Sequence, residues 1–305
     1  MQSNRIIHIN FIFPAIFIML VSFSACGQDG WKDAPGGSLG AGDWKLTVDQ
    51  DGITRTVYVH IPSCYTGATA APLVLSWHGY MDTAQGQSDA DGFMVKADEE
   101  CFIVAYPEGY GTAGLESWNA GEACCGSAVD KDLDDVQLAR DIVTLLSGRC
   151  NIDAARVYAH GHSNGGGMAH RLGREASDVF AAVSPKSMPV LVPGSLPVRA
   201  VPVIQFHGTA DSTISYDGGT IPFESGSYLS AQDSFKNWAA VNGCSGTPVT
   251  VNYGDSTCET YTSCSEGVRV ALCSIEGGNH NNIYGRDDIN VTDMAWDFMS
   301  EFILP

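Results

Sequence analysis

The G-x-S-x-G motif at residues 161–165 restricts most strongly how this chain can fold. An apolar run at residues 157–159 precedes it, and a helix-compatible run at 168–172 follows it. This order predicts a strand, a sharp turn and a helix, with Ser163 at the turn. The flanking glycines leave room for a strained backbone there. We therefore predict that Ser163 is a nucleophile at a helix N-terminus that faces developing negative charge; a glycine-rich turn with an incidental serine is the competing interpretation.

Strand and helix patterns alternate along the rest of the chain. Alternating polar and apolar residues at 44–48 and 53–61 predict a β-hairpin. Apolar runs with the length of buried strands lie at residues 73–77, 102–106, 157–159, 181–185, 201–206 and 268–275. Helical spacing occurs at residues 88–100, 132–147, 168–172, 228–241 and 290–304. The alternation predicts one α/β domain over residues 43–305, a mostly parallel sheet with helices on both faces.

Polar residues with complementary chemistry follow three of these predicted strands. Ser163, Asp211 and His280 occur in the chain order of the α/β-hydrolase triad. A serine hydroxyl needs an imidazole to take its proton and a carboxylate to orient that imidazole. Because the carboxyl ends of parallel strands meet at one edge of a sheet, we expect these side chains to lie close together. No strand is followed as directly by the other candidate acids, Asp82, Asp217 and Asp287.

Two backbone N–H groups are candidates for an oxyanion hole. One belongs to Asn164, which follows the nucleophile, and the other to Tyr80, in the loop after the strand at residues 73–77. His78 in the same loop is interpreted as structural. The same His-Gly pair recurs at residues 207–208, and only one histidine in the chain can be the base.

Two ring-bearing side chains are candidates for substrate contact. His162 is adjacent to Ser163 in the sequence. Trp118 lies in a long glycine-rich loop after a strand end, where substrate-binding residues are common. Trp118 is either a core aromatic residue or a substrate platform, and its loop position favours the platform.

The formal charge of −19 excludes electrostatic binding to nucleic acid or to an anionic surface. Such a charge favours solubility and a neutral or cationic substrate. The sequence contains neither a pair of C-x-x-C motifs nor H-E-x-x-H, which are typical of zinc sites. We therefore predict an enzyme that uses no metal and no other cofactor.

Residues 1–26 have the pattern of an export signal, with one arginine, a short apolar run and small residues at the end. The last three of them resemble the end of a bacterial lipobox, which predicts lipidation of Cys26 and membrane contact through that anchor alone. Ordinary cleavage and free secretion is the alternative. Residues 27–42, rich in Gly, are predicted to be a flexible tether.

Ten cysteines in an exported chain predict disulfide bonds. Two local bridges are expected among the last four, with three connectivities open: Cys244, Cys258, Cys264 and Cys273. The adjacent Cys124 and Cys125 could each pair elsewhere in the chain. Lipidation of Cys26 leaves an odd number of cysteines and therefore one free thiol.

Several short motifs accompany these candidates. They are WHG (77–79), AYPEG (105–109), SWNA (117–120), CCG (124–126), DDV (134–136), GHSNG (161–165), HGTAD (207–211) and EGGNH (276–280). With them the chain resembles, over residues 44–305, the secreted esterase family that groups polyhydroxybutyrate depolymerase-type and feruloyl esterase-type enzymes (carbohydrate esterase family one). The resemblance implies the same triad, on Ser163, Asp211 and His280, and oxyanion donors on Tyr80 and Asn164.

The chain departs from this family directly after His280. It has NNIYG at residues 281–285, where members often have Ser/Thr-Trp-Pro-Gly. The resemblance implies that these residues, Tyr284 among them, line the acyl pocket. It also implies that Cys150 lacks the partner that many relatives place near Gly173.

The sequence therefore predicts an exported serine carboxylic-ester hydrolase that works through an acyl-enzyme. The expected substrate is a neutral ester, either a polyester of the polyhydroxybutyrate type or a feruloyl or acetyl ester on plant polysaccharide. Two alternatives remain open: a peptidase on the same fold, and a catalytically silent surface-binding lipoprotein.

Overall fold

The structure is a computed structural model that describes residues 30–112, 114–121, 124–191, 195–222, 226–284 and 288–305. The predicted signal region with Cys26, and the first residues of the predicted tether, lie outside the described residues. The segment Trp31–Pro305 forms one compact unit. Within the described ranges, no helix is long and apolar enough to cross a membrane.

The strands follow from the apolar runs of the sequence. They are β1 (Lys32–Asp33), β2 (Gly42–Gln50), β3 (Ile53–Ile61), β4 (Ala71–Trp77), β5 (Ile103–Pro107), β6 (Ile152–His162), β7 (Ala182–Lys186), β8 (Val203–Gly208), β9 (Gly219–Thr220), β10 (Ser227–Tyr228), β11 (Val249–Tyr253), β12 (Ser256–Tyr261) and β13 (Val270–Ile275). Eleven of them form one sheet in the order β1-β2-β3-β5-β4-β6-β7-β8-β13-β12-β11. The central strands β5, β4, β6, β7, β8 and β13 are parallel to one another. The fully buried patterns of β4, β5, β7 and β8 are typical of strands that are covered on both faces.

The helices pack on the two faces of this sheet. They are α1 (Ala84–Ala90), α2 (Phe93–Glu100), α3 (Gly126–Asp130), α4 (Asp135–Ser147), α5 (Asn164–Glu175), α6 (Ala231–Val241) and α7 (Val291–Ser300). The apolar side chains of α4, α5 and α6 share one core cluster, and those of α1, α2 and α7 share another. The predicted α/β-hydrolase fold, a mostly parallel sheet with helices on both faces, is confirmed.

The structure differs from the predicted elements in several places, and two of the differences have a clear cause. The helix predicted over residues 88–100 is two helices, because Gly92 adopts a left-handed φ of 71° between α1 and α2. Strands β11 and β12 were not predicted. They form an antiparallel extension of the sheet next to β13, and β11 is largely exposed, so it lacks the apolar run of a buried strand.

The disulfide bonds resolve the pairings that the sequence left open. The predicted local bridges are Cys244–Cys264 and Cys258–Cys273, and a third bond joins Cys64 to Cys101. Cys124 and Cys125 bond to each other, which corrects the expectation that each pairs elsewhere. Among the described cysteines, Cys150 is free and buried.

Candidate active site

The turn at Ser163 has the geometry that the motif predicts. Strand β6 ends at His162, Ser163 has φ 54° and ψ −120°, and α5 begins at Asn164. The Ser163 N–H donates to the Lys186 carbonyl at 2.9 Å, which fixes the turn against the neighbouring strand β7. The serine side chain therefore projects beyond the carboxyl edge of the sheet, where parallel α/β sheets bind ligands.

The two glycines of the motif are required by close backbone contacts. A Cβ atom on Gly161 would overlap the carbonyl of Gly165. A Cβ atom on Gly165 would overlap the carbonyls of Trp77 and His78 at the end of β4. The turn at residues 161–165, which we call the elbow, can therefore adopt this packing only when both positions lack side chains.

The structure brings Ser163, His280 and Asp211 into direct contact. The Nε2 atom of His280 lies 2.9 Å from the Ser163 Oγ atom. Its Nδ1 atom lies 2.7 Å from the Asp211 Oδ2 atom. Because a carboxylate only accepts hydrogen bonds, Nδ1 donates, and Nε2 of the neutral ring accepts from the serine hydroxyl.

The second oxygen of Asp211 is held by the backbone. Its Oδ1 atom accepts from the N–H groups of Thr213 and Ile214, both at 2.9 Å. Burial acts to raise the pKa of Asp211, but the hydrogen bond and charge of His280 outweigh it, so the pKa lies below its ordinary value. The carboxylate is therefore ionised and oriented toward the histidine.

The loop that carries His280 is attached to the elbow through its backbone. The His280 carbonyl accepts from the His162 Nε2 atom and from the Ser187 hydroxyl, both at 3.0 Å. Burial lowers the pKa of His162 well below its ordinary value, and the charge of Lys186 acts in the same direction. His162 is therefore a neutral donor that positions this loop, and it also lies in the wall of the cavity described below.

Both predicted oxyanion donors lie close to the serine. Asn164 is the first residue of α5, so its N–H has no acceptor within the helix. Tyr80 lines the same cavity as Ser163. A Cβ built on the preceding Gly79 would lie 3.4 Å from the Ser163 Cβ, so this loop passes close to Ser163. The role of both groups stays a prediction.

Trp118 lies in the core, which corrects the preference for a substrate platform. Its side chain is fully buried between Trp77 and His78, and it is not part of the cavity wall. The side-chain amide of Asn164 pairs with the Trp118 backbone, accepting from its N–H at 2.7 Å and donating to its carbonyl at 3.0 Å. Trp118 therefore positions the elbow from the core side and not from the cavity. Arg55, which forms an ion pair with Asp135, lies over its ring.

The two His-Gly pairs have structural histidines, as the sequence suggested. His78 donates through Nδ1 to the Gly79 carbonyl at 2.7 Å and accepts through Nε2 from the Gly109 N–H at 2.8 Å. Burial lowers the pKa of His78 to about 4, which keeps the ring neutral. His207 donates to the Ile214 carbonyl at 2.8 Å and so fixes the loop that holds Asp211.

A cavity of about 530 Å³ opens at the serine. Its wall contains His162 and Tyr284, which were predicted to contact substrate, and Tyr80, which was predicted to supply an oxyanion donor. Apolar side chains that share the wall are Met81, Ala90, Met188, Ile214, Ile221 and Pro222. The Tyr284 hydroxyl is bonded to the Nε2 atom of His160 at 2.6 Å, so the tyrosine is anchored to β6.

Sequence reasoning missed several residues of this wall, above all Lys186, Gln87 and the disulfide-bonded Cys124 and Cys125. Lys186 directly follows a predicted apolar strand beside the elbow. That position was the one sequence signal that could have placed Lys186 at the site. The part of the chain that the structure describes holds no group of three or more side chains suited to a metal ion.

Two proteins of known name are similar to this chain in sequence. Feruloyl esterase B of Piromyces equi is 35% identical over 259 residues, 82% of this chain and 46% of that protein. The bifunctional acetylxylan esterase/xylanase XynS20E of Neocallimastix patriciarum is 27% identical over 302 residues, 94% of this chain and 40% of that protein. This chain thus spans less than half the length of either relative. No protein-family model matches it.

The fold has solved counterparts. The acetyl xylan esterase from Aspergillus awamori matches with a TM-score of 0.60 at 13% identity, over 84% of this chain and 98% of that chain. At that identity the likeness shows the fold alone. Together with the sequence relatives, it confirms the resemblance that the motifs indicated. The chain therefore has the α/β-hydrolase fold and is similar in sequence to a feruloyl esterase and to a bifunctional acetylxylan esterase/xylanase.

Proposed function

We propose that this chain is a serine carboxylic-ester hydrolase whose catalytic triad is Ser163, His280 and Asp211. The observation that carries the proposal is the continuous set of hydrogen bonds from the serine hydroxyl through the imidazole to the carboxylate, at 2.9 and 2.7 Å. The serine also opens onto a cavity large enough for an ester.

The arrangement supports acyl-enzyme chemistry. The Ser163 oxygen attacks the ester carbonyl carbon while His280 Nε2 takes the hydroxyl proton, and Asp211 stabilises the imidazolium. The carbonyl oxygen becomes negative and accepts from the N–H groups of Asn164 and Tyr80. The intermediate collapses, and His280 returns the proton to the departing alcohol. Water, activated by the same histidine, then releases the acid and restores the serine.

The substrate that we propose is a feruloyl or acetyl ester of plant polysaccharide. Both relatives are named for such esters, and the mainly apolar cavity suits an uncharged acyl group. The formal charge of −19 is compatible with a neutral polymer and would repel an acidic one. A polyester of the polyhydroxybutyrate type is the second candidate, because the motifs of the chain resemble depolymerases as well.

The location that we propose is outside the cytoplasm. Four disulfide bonds among the described cysteines support an oxidising compartment. The signal pattern of residues 1–26 supports export, and Cys26 is the proposed site of a lipid anchor. A Cys26→Ser variant of the full chain should lose partition into detergent; partition that persists would contradict the anchor.

The decisive experiment replaces the nucleophile. Ser163→Ala should lower the turnover of p-nitrophenyl acetate by several orders of magnitude. The control is Ser63→Ala, at an exposed serine outside the cavity wall, which should leave the turnover unchanged. A fluorophosphonate probe should label the parent chain and not Ser163→Ala. Undiminished activity in Ser163→Ala would overturn the assignment, and a parent chain that stays unlabelled would favour the silent lipoprotein.

Substrate choice is tested on the parent chain. Methyl ferulate, acetylated xylan and polyhydroxybutyrate are compared at equal enzyme concentration, together with a peptide panel. Ester cleavage without peptide cleavage is the expected result. Cleavage of peptides at comparable kcat/KM would instead support a peptidase.

A further inference from the structure

A buried cation lies beside the nucleophile. Lys186 is the last residue of β7, between β6 and β8, and its carbonyl accepts the Ser163 N–H at 2.9 Å. Its side chain is fully buried, yet the residue forms part of the wall of the cavity that contains Ser163 and Tyr284. The triad makes no use of this lysine.

The Lys186 ammonium has no hydrogen-bond partner among the described residues. The ring of Tyr284 covers one side of it, with 3.9 Å between the Nζ atom and the ring centroid. The carboxylates of Asp82, Asp91 and Asp211 act on it through charge alone, and burial lowers its pKa to about 7. A buried lysine with three unused donor positions is costly, and a ligand that offers an acceptor would remove that cost.

The other polar groups at this end of the cavity are already paired. The Gln87 Nε2 atom donates to the Ser76 hydroxyl at 3.0 Å and to the Tyr284 hydroxyl at 3.3 Å. The Tyr284 hydroxyl also bonds to His160. Most of the remaining wall is apolar. Lys186 is therefore an unpaired hydrogen-bond donor in the wall of a cavity that otherwise suits an apolar ligand.

We propose that Lys186 is a specificity-determining residue, which donates a hydrogen bond to an oxygen of the acyl group other than those of the scissile ester. The acyl class that fits is an aromatic acid with hydroxy or methoxy oxygens on its ring, since it combines an apolar body with an additional acceptor. This inference rests on the esterase function proposed above, and it deepens it by naming what one wall of the cavity recognises.

The test compares two esters that differ only in ring oxygens. Methyl ferulate carries them and methyl cinnamate does not. In the parent chain kcat/KM should favour ferulate, and Lys186→Met should lower the ferulate-to-cinnamate ratio of kcat/KM about tenfold or more. Lys186→Gln, which keeps a shorter neutral donor, should lower the ratio less. Lys236→Met, at a surface lysine of α6, should leave the ratio unchanged.

A binding measurement supports the same comparison without turnover. In the Ser163→Ala background, Lys186→Met should raise the Kd for methyl ferulate about tenfold and change the Kd for methyl cinnamate less. Hydrolysis of p-nitrophenyl acetate by the parent chain separates the two proposals. If it is absent, the esterase function fails. If it is present but both Lys186 variants keep the parent ratio, or the parent chain accepts neither aromatic ester, the inference about Lys186 fails alone.

Discussion

The two sides of the cavity differ in how completely their polar atoms are paired. On the triad side, both oxygens of Asp211 and both ring nitrogens of His280 have hydrogen-bond partners. In the part of the wall around Lys186 and Tyr284, the Lys186 Nζ atom is buried with no hydrogen-bond partner in the described part of the chain. The Tyr284 ring covers it, and the Tyr284 hydroxyl accepts a hydrogen bond from Gln87.

This difference separates the reaction from the choice of substrate. A fully paired group of side chains holds one geometry before any substrate arrives, which is what an acyl-transfer site requires. An unpaired donor does the opposite, because only a ligand with a matching acceptor completes it. Perturbing each side should therefore produce different kinds of defect.

The largest expected effect comes from breaking the paired side. Asp211→Asn keeps an oxygen for the Thr213 and Ile214 N–H groups but turns an amide N–H toward His280 Nδ1. The imidazole then adopts the wrong tautomer, and kcat should fall about 10⁴-fold while the fold is retained. Hydrolysis of p-nitrophenyl acetate measures kcat, and circular dichroism measures whether the fold is retained.

The matched control for this change is Asp217→Asn. Asp217 is an exposed acid on the same loop and was an alternative candidate in the sequence. Asp217→Asn should leave kcat unchanged. If Asp217→Asn lowered kcat as much as Asp211→Asn, the orienting acid would be wrongly assigned.

Perturbing the unpaired side should instead alter how stability depends on pH. Burial lowers the pKa of Lys186 from 10.5 to about 7, so between these values the unfolded chain binds more protons than the folded one. The contribution of Lys186 to the free energy of unfolding therefore rises with pH across this window, by up to about 1.4 kcal/mol per pH unit. Below about pH 7 its unfavourable contribution is complete.

Lys186→Met should accordingly gain most stability relative to the parent chain at or below pH 7, and the gain should shrink as pH rises toward 10. Urea unfolding at pH 6, 8 and 9.5 measures this. Lys236→Met is the control, because its ammonium is exposed and its difference from the parent should be flat. A gain for Lys186→Met that does not vary with pH would mean that the pKa of Lys186 is not lowered in the folded chain.

The contact between Ser163, Asp211 and His280 was predictable from the sequence because its evidence is local. Each of Ser163, Asp211 and His280 follows an apolar run within a few residues, and parallel strands bring such ends together. The positions of the central strands were predictable for the same reason, although β6 (Ile152–His162) is much longer than the apolar run at residues 157–159.

The wall around Lys186 and Tyr284 was less predictable because its contacts are distant in sequence. A lysine at a strand end normally reaches solvent; Lys186 is buried because the segment ending at Tyr284 covers it. Trp118 was misplaced for a similar reason, since its backbone pairs with the side chain of Asn164, 46 residues away. Strand β11 was not predicted because its residues are largely exposed and so lack the apolar run of a buried strand.

The smallest expected effect concerns that Asn164–Trp118 pairing, and the chain contains its own control. The buried Asn242 side chain pairs with the Val201 backbone in the same way, accepting at 2.9 Å and donating at 2.6 Å, away from the cavity. Asn164→Ala and Asn242→Ala should each lower the free energy of unfolding by about 2 kcal/mol, because each removes two buried hydrogen bonds, and Tm by about 5 °C. Only Asn164→Ala should also lower kcat, about tenfold, because it alone loosens the elbow at Ser163. Equal kcat in the two variants would mean that the Trp118 pairing stabilises the fold without positioning the nucleophile.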